Sequence, residues 1–329
     1  RVVRTLGTDL STTPGTFTVE TSIVVLLFIG LALFVGNYAG VPASTSMTAV
    51  GAIAGLNVAA GTLNWETMGE IVVWWIVAPV LGFWVSGVVG RYCYPTISRW
   101  VAVTSSEGAL LELDRSGAVP RLTTGPNTTR REVAGAFVVV AIGCLMAFSS
   151  GTSNIANAVA PLFGVGLPME PLILLGCAAV AVGAFTIARR TLDTLGNDIT
   201  DLPLPAAIVV AVVSSVIVTA LSAIGIPASF VIVATMSIVG LGWGRATRSV
   251  TVAESVTGER QPQVSVGAIA ASADDPAPDI GEPEDVPAAS DLFDPGTTAR
   301  VVLMQNVVPM LSTAGAYAAF RGLFAFALV

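Results

Sequence analysis

The feature that most constrains this chain is a series of long segments with almost no charged residues. They lie at residues 22–36, 71–90, 133–148, 172–188, 206–224, 228–241 and 301–329. Most are close to the roughly 20 apolar residues that a helix needs to cross a bilayer. Only 11% of all residues are charged, against about 25% in soluble domains. A large soluble core would require helices with polar faces, which these segments lack. The sequence therefore predicts an all-α polytopic membrane protein.

The ionisable residues narrow the possible partners. All 15 basic residues are Arg and the net charge is −7, a balance that resembles proteins of salt-loving microbes. No basic stripe could neutralise phosphates along a strand, so nucleic acid is not expected as a partner. The 3 cysteines form no CxxC pair and predict neither a disulfide framework nor a metal site. Residues 1–16 contain no initiator Met and no signal-peptide pattern, and we expect the chain to begin within a larger protein.

Internal similarity divides the chain into two halves. Three segments recur in the same order: 4–11 in 193–200, 40–55 in 225–240, and 72–82 in 301–311. The offsets are 189 and 185 residues for the first two pairs and 230 for the third, measured from Pro79 to Pro309, and the increase falls on an acidic, Pro-rich insertion. Repeats of this kind in membrane chains are typical of secondary transporters, whose sites lie near the bilayer midplane where the repeats meet.

The arginines predict how the halves are oriented. If the linker is cytoplasmic, all of them except Arg1, Arg4 and Arg321 lie inside, as the positive-inside rule favours. Equivalent segments then cross in opposite directions, which predicts two inverted repeats. The predicted divisions are a first transmembrane repeat at 1–94 without its N-terminal part, a cytoplasmic linker at 95–132, a second transmembrane repeat at 133–244, an acidic disordered cytoplasmic loop at 245–299, and a last transmembrane segment at 300–329.

Small polar residues interrupt the apolar segment 146–164 around Gly151. In hydrocarbon an unpaired backbone group is costly, so a broken helix at membrane depth is tolerated only where it faces protein or a water-filled cavity. Gly151, with its Ser and Thr neighbours, predicts a broken or re-entrant helix there, and Pro42 and Pro227 predict two more. Small residues can also serve only close helix packing, but the recurrence of polar clusters in both halves favours a binding site.

Each of the two prolines precedes a predicted helix. The first helical turn after each would present free N–H groups and the positive end of the helix dipole. Ser44, Thr45 and Ser46 add hydroxyl donors after Pro42. Such a terminus is suited to binding an oxyanion.

These motifs resemble those of a known family. "GTSNIANA" at 151–158 is similar to the GANDxANA motif of the inorganic phosphate transporter (PiT) family, which comprises sodium- or proton-coupled phosphate permeases. "PASTSM" at 42–47 resembles the family's Pro–x–Ser–Thr–Thr–His motif, and "PASFVI" at 227–232 is a degenerate copy of it. "LGNDITDLP" at 195–203 is similar to the family's TxGxxITxLxP segment.

The resemblance implies roles for individual residues. It implies substrate binding by Ser44, Thr45, Ser46, Ser229, Ser153 and Asn154, and cation binding by Ser153, Asn154 and Asn157. Three departures stand out: Ser153 and Asn154 replace the motif's Asn–Asp pair, Met47 replaces its His, and Phe230 and Val231 replace hydroxyl residues. The first-half GAND segment is absent, as expected if the N-terminus lacks one or two helices.

The expected function is secondary transport of inorganic phosphate across the cell membrane by a multi-pass protein, with sodium as the co-transported cation and no other cofactor. The alternatives are a sulfate or other oxyanion permease and a transport-dead paralogue acting as a sensor or scaffold. An intramembrane enzyme is not expected, because clustered carboxylates or a base within the spans are lacking. The expected partners are the oxyanion, sodium and the lipid bilayer, and a homo-oligomer is possible.

Overall fold

The structure, a computed structural model, describes residues 1–38, 43–101, 111–114, 121–124, 129–188, 204–246 and 295–326. The helices within these ranges are α1 Val2–Arg4, α2 Val19–Tyr38, α3 Thr45–Ala60, α4 Trp65–Val88, α5 Tyr94–Val101, α6 Arg130–Gly164, α7 Met169–Gly183, α8 Leu204–Ile224, α9 Phe230–Ala246 and α10 Pro295–Ala325. Short π-helical turns follow α1 at Thr5–Asp9, α4 at Val89–Cys93 and α7 at Ala184–Ala188.

Five of these helices are long and apolar enough to cross a membrane: α2, α4, α6, α7 and α8. The chain is a multi-pass membrane protein, as the sequence predicts. Helices α3 and α9 are also apolar but have only 16 and 17 residues, about 25 Å at 1.5 Å per residue. They are therefore shorter than the roughly 30 Å hydrocarbon core of a bilayer.

Helix α10 is not among those five apolar helices, although its 31 residues are more than enough to span a bilayer. It carries Gln305 and Ser312, and both are buried inside the protein. These two polar side chains therefore face other helices, which is the expected place for such groups in a membrane protein.

The fold is mostly helical, as predicted, and the linker adds one small hairpin. Strands β1, Leu111–Asp114, and β2, Arg121–Thr124, form a two-stranded antiparallel hairpin in which Leu111 pairs with Thr124. Helix α5 also lies in this linker, and α6 begins at Arg130 rather than at 133. The sequence carries no apolar signal for this hairpin, because its four-residue strands contain no long hydrophobic run.

The buried centre of the protein is α3. Ile53 and Leu56 are fully buried, in an apolar core that also receives Leu6, from the turn after α1, and Phe320 of α10. Residues 2–9 pack against α6 and so cover this core from the N-terminal side. Because α3 is enclosed by protein on nearly every side, its polar N-terminal residues are held away from lipid.

Two helix pairs approach closely along glycines. Helix α3 packs along α10, where a Cβ on Gly55 would lie 2.6 Å from the carbonyl oxygen of Thr313. Helix α4 and the π-helical turn after it pack along α9, where a Cβ on Gly90 of that turn would lie 2.6 Å from the carbonyl oxygen of Leu241. Small residues allow such close approach of helix backbones in membrane proteins.

Each of these pairs joins a helix of the predicted first half to a helix of the predicted second half. The inverted relation of the halves stays a prediction, as do their boundaries. Helix α9 ends at Ala246 and α10 begins at Pro295, so both enter the range assigned to the acidic loop. The segment 195–203, the acidic residues at 274–294 and Pro42 lie outside the described residues.

Candidate functional site

The N-terminus of α3 starts at the predicted oxyanion-binding stretch. Ser44 is the N-cap: its backbone is extended and its Oγ accepts a hydrogen bond of 3.2 Å from the backbone N–H of Met47. This bond satisfies one of the donors that a helix start leaves unpaired. Thr45 and Ser46 follow as the first two residues of the helix, so their hydroxyls and the first free N–H groups lie at one end of α3.

The predicted helix break at Gly151 is wrong. Helix α6 continues from Arg130 to Gly164 through the whole polar stretch. Its hydroxyls are used without opening the helix: Thr152 Oγ1 donates to the carbonyl of Ser149 at 2.8 Å, and Ser149 Oγ donates to the carbonyl of Ser215 on α8 at 3.1 Å. Gly inside a helix costs only about 1 kcal/mol, so packing and these bonds keep α6 intact.

The structure brings the two polar stretches together, as predicted. Thr45 Oγ1 donates to Asn154 Oδ1 at 2.5 Å. Ser46 Oγ lies 2.8 Å from Ser153 Oγ and accepts a hydrogen bond of 3.1 Å from Asn157 Nδ2. Four members of this cluster are buried: Ser44, Ser46, Ser153 and Asn157. Residues more than a hundred positions apart in sequence thus form one polar cluster inside an apolar protein.

Pro227 lies in the connection between α8 and α9, and this segment reaches the same cluster. Residues 226–229 form an irregular connection between α8 and α9. The carbonyl of Ala228 accepts from Ser46 Oγ at 2.9 Å and from Ser153 Oγ at 3.1 Å. Ser229 is buried, and among the described residues its Oγ accepts a single long bond of 3.4 Å, from Ile232 N. Its position at the start of α9 resembles that of Ser44 at the start of α3.

The cluster is uncharged and rich in oxygen. Ser46 is bonded to hydroxyl, amide and carbonyl groups, all of them neutral. Asn157 Oδ1 is buried and has no hydrogen-bond partner among the described residues. Hydroxyl and N–H donors at a helix N-terminus can hold an anion, and the hydroxyl and carbonyl oxygens can ligate a hard cation.

Sequence reasoning missed two further residues, Trp75 and Gln305. Trp75 Nε1 donates to the carbonyl of Pro227 at 2.8 Å, so α4 holds the break in place. Gln305 of α10 is buried, and its Nε2 has no hydrogen-bond partner among the described residues. The signal was available, because Trp75 and Gln305 each lie four residues before the proline that the repeated segments share, Pro79 and Pro309. No sequence pattern could have identified the carbonyl of Ala228, since every residue carries a carbonyl.

A family model described as the phosphate transporter family matches residues 1–259 of this chain. The match covers most of the chain, including the start of α3 and the polar stretch of α6. The chain belongs to the phosphate transporter family. This is a family of transporters and not of enzymes, which confirms the prediction that the chain is not an enzyme.

Individual relatives differ in the substrate that their names give. The chain is 31% identical over 228 residues to the sulfate permease CysP of Bacillus subtilis, covering 68% of this chain and 56% of that protein. It is 23% identical over 304 residues to a putative phosphate permease of Chlamydia trachomatis, covering 69% of this chain and 71% of that protein. The chain thus spans about half of the length of the Bacillus protein and more of the chlamydial one.

A solved structure described as the sodium-dependent phosphate transporter has the same fold. The TM-score is 0.65 at 18% sequence identity, with 98% of this chain and 85% of that chain covered. At this level of identity the likeness concerns the fold alone. It agrees with the predicted helical membrane architecture.

Proposed function

We propose that this protein transports inorganic phosphate by secondary transport, with sodium as the co-transported cation. The observation that carries the proposal is the polar cluster in which Ser46 contacts Ser153, Asn157 and the carbonyl of Ala228. It joins the start of α3, the middle of α6 and the break before α9. Discontinuous helices whose N-termini point at an anionic substrate are a recurring design in secondary transporters.

The cluster supplies the donors that a tetrahedral oxyanion requires. The first turn of α3 offers free backbone N–H groups, and Thr45 and Ser46 add hydroxyls that can turn toward a ligand. Thr45 Oγ1 is now bonded to Asn154 and Ser46 Oγ to the Ala228 carbonyl. Substrate binding is therefore expected to exchange these protein–protein hydrogen bonds for bonds to the anion.

A cation is needed because the cluster carries no net charge. Each helix N-terminus contributes only about half a positive charge, which is less than a phosphate dianion requires in a low-dielectric site. Ser153, Asn154 and Asn157 present oxygen atoms there, and Asn157 Oδ1 is buried with no partner among the described residues. Neutral oxygen ligands suit a hard cation, and they offer no evident proton acceptor, which favours sodium over protons.

We propose the cell membrane as the site of transport. A multi-pass protein of this kind would act in the cell membrane, with its linker on the cytoplasmic side as the arginine distribution favours. Lipid would surround α2, α4, α6 and α7, whose spans are mostly exposed in the single chain. We propose no cofactor besides the co-transported cation, and assembly into a homo-oligomer stays a prediction.

Sulfate is a second candidate substrate, and one observation favours it. Asn154 stands where the motif of the PiT family has Asp, and its Oδ1 already accepts from Thr45. Phosphate carries a proton at neutral pH that requires an acceptor, whereas sulfate only accepts hydrogen bonds. A cluster without a carboxylate has only neutral acceptors for that proton and therefore discriminates less strongly against sulfate. The 31% identity to a sulfate permease points in the same direction.

Uptake of labelled phosphate and labelled sulfate into proteoliposomes tests both substrates. The full-length protein is expected to accumulate phosphate above the level of protein-free vesicles. Unlabelled sulfate in excess should compete weakly if phosphate is the substrate and fully if sulfate is. Binding of either anion without any uptake would favour a transport-dead sensor or scaffold, and neither binding nor uptake would contradict oxyanion transport.

A further inference from the structure

We propose that Gln305 is a further substrate-binding residue, whose Nε2–H donates to an oxyanion held at the N-terminus of α3. The inference rests on the proposed oxyanion transport and adds a donor that the sequence motifs do not contain. Four observations support it: Gln305 is buried, its Nε2 donor is unused, it lies level with the start of α3, and its counterpart in the α4–α9 pair is also an N–H donor.

The amide of Gln305 is an unusual group to bury without a partner. The residue is 3% exposed, and its Nε2 forms no hydrogen bond with any described residue. Leaving a buried donor unpaired costs about 1–3 kcal/mol, so each such group in a folded protein calls for an explanation. One explanation is a ligand that accepts a hydrogen bond from this group during part of the transport cycle.

The register of α10 on α3 places Gln305 at the start of α3. Gly51 faces the carbonyl of Pro309 and Gly55 faces that of Thr313, so the two helices run parallel. Nearer the start of α3, Val308 packs with Ala43, the residue before the N-cap. Gln305 is three residues before Val308 and therefore lies on the same face, about one turn further on. That turn brings it level with, or just beyond, the first residues of α3, where an anion at a helix N-terminus would lie.

The close pair formed by α4 and α9 shows the role of the position that corresponds to Gln305. Helices α4 and α9 are also parallel, since Gly82 faces Val233 and Gly87 faces Gly240. In the repeated segments Trp75 corresponds to Gln305 and Ser229 corresponds to Ser44. Trp75 Nε1 donates to the carbonyl of Pro227, just before the start of α9. The position therefore delivers an N–H donor to the N-terminal end of the partner helix. At Trp75 a carbonyl accepts it, and at Gln305 the donor is left for a ligand.

The test compares variants that keep the shape of the side chain. Gln305→Met deletes the donor, and we expect the KM for inorganic phosphate to rise about tenfold with little change in maximal rate, as for loss of one hydrogen bond to a charged group. Gln305→Glu keeps the size and polarity but places a carboxylate beside the anion, so it should raise the KM further. Ser312→Ala is the matched control, because Ser312 is buried on the same helix and donates to the Thr48 carbonyl. Its KM should stay at the wild-type value.

A purely structural role predicts a different pattern. It would lower the melting temperature of the protein in ligand-free detergent solution and leave the KM unchanged, and that outcome overturns the proposal. Protection of the purified protein against thermal unfolding by phosphate or sulfate gives a second readout if transport is too slow to measure. Wild-type protein protected by one of these anions, with equal protection of Gln305→Glu, would overturn this inference alone. Wild-type protein that neither binds nor transports them would overturn the proposed function as well.

Discussion

Thr45 Oγ1 donates a hydrogen bond of 2.5 Å to Asn154 Oδ1 and thereby ties the first residue of α3 to the middle of α6. The two residues are 109 positions apart in the sequence. Asn154 Nδ2 in turn donates to Ser150 Oγ at 3.0 Å, which fixes the orientation of the amide. The contact connects a short buried helix to a long membrane-spanning one at the place where the candidate substrate site lies.

Thr45→Val should weaken substrate binding. Valine keeps the shape of threonine but removes the donor, which leaves the anion short of one partner at a cost of about 1–3 kcal/mol. The KM for phosphate should rise accordingly in uptake assays. Thr235→Val is the matched control, because Thr235 Oγ1 on α9 donates to the carbonyl of Val231 in its own helix. A Thr45→Val protein with an unchanged KM would remove Thr45 from the site.

Asn154→Asp should shift selectivity from sulfate toward phosphate. The carboxylate can accept the proton of phosphate, whereas it repels sulfate, which has no proton to donate. Thr45 can still donate to the new side chain, so the local structure should persist. The ratio of sulfate to phosphate uptake at equal concentrations measures the effect. A ratio equal to that of the wild type would show that this position does not contact the anion.

Gly55→Ala should destabilise the pairing of α3 with α10. The new Cβ would lie 2.6 Å from the Thr313 carbonyl oxygen and 3.1 Å from Ala316 Cβ, and overpacking of this kind costs about 1–3 kcal/mol. Gly69→Ala in α4 is the control, because a Cβ there meets nothing within 4 Å and alanine favours a helix. Thermal unfolding in detergent should separate the two variants, and equal melting temperatures would argue against the close α3–α10 contact.

The linker should lie on the cytoplasmic side. After the free and exposed Cys93, Cys144 and Cys177 are replaced, a cysteine introduced at Ser116 should react with a membrane-impermeant thiol reagent only after the cells are opened. The arginines on either side of the linker are the reason for this orientation. Labelling of the introduced cysteine in intact cells would reverse the predicted topology.

The sequence alone was sufficient to predict a membrane protein and to predict which polar stretches meet in the fold. Long apolar segments predicted the spans, and repeated motifs predicted that the Ser44–Ser46 stretch meets Ser153, Asn154 and Asn157. Both signals are local patterns in residue type, and a bilayer leaves few structures that satisfy them. The roles of these residues in binding remain predictions.

The path of the backbone was harder to predict from the sequence. Gly151 with its hydroxyl neighbours permits a break, but whether α6 opens depends on bonds such as that from Ser149 to the Ser215 carbonyl, which only the folded structure supplies. The carbonyl of Ala228 joins the cluster because the Pro227 segment crosses it, not because of its side chain. The level of Gln305 relative to α3 depends on how α10 packs on that helix, which the residues of its own segment do not determine.

The most direct test of sodium-coupled oxyanion transport is phosphate uptake by the full-length protein in proteoliposomes under an imposed inward sodium gradient. We predict that uptake rises with external sodium and is unaffected by a proton ionophore at fixed sodium. Asn157→Leu should raise the sodium concentration needed for half-maximal uptake, because Asn157 Oδ1 is a buried oxygen of the polar cluster that has no partner among the described residues. Equal uptake when choline replaces sodium would contradict the account.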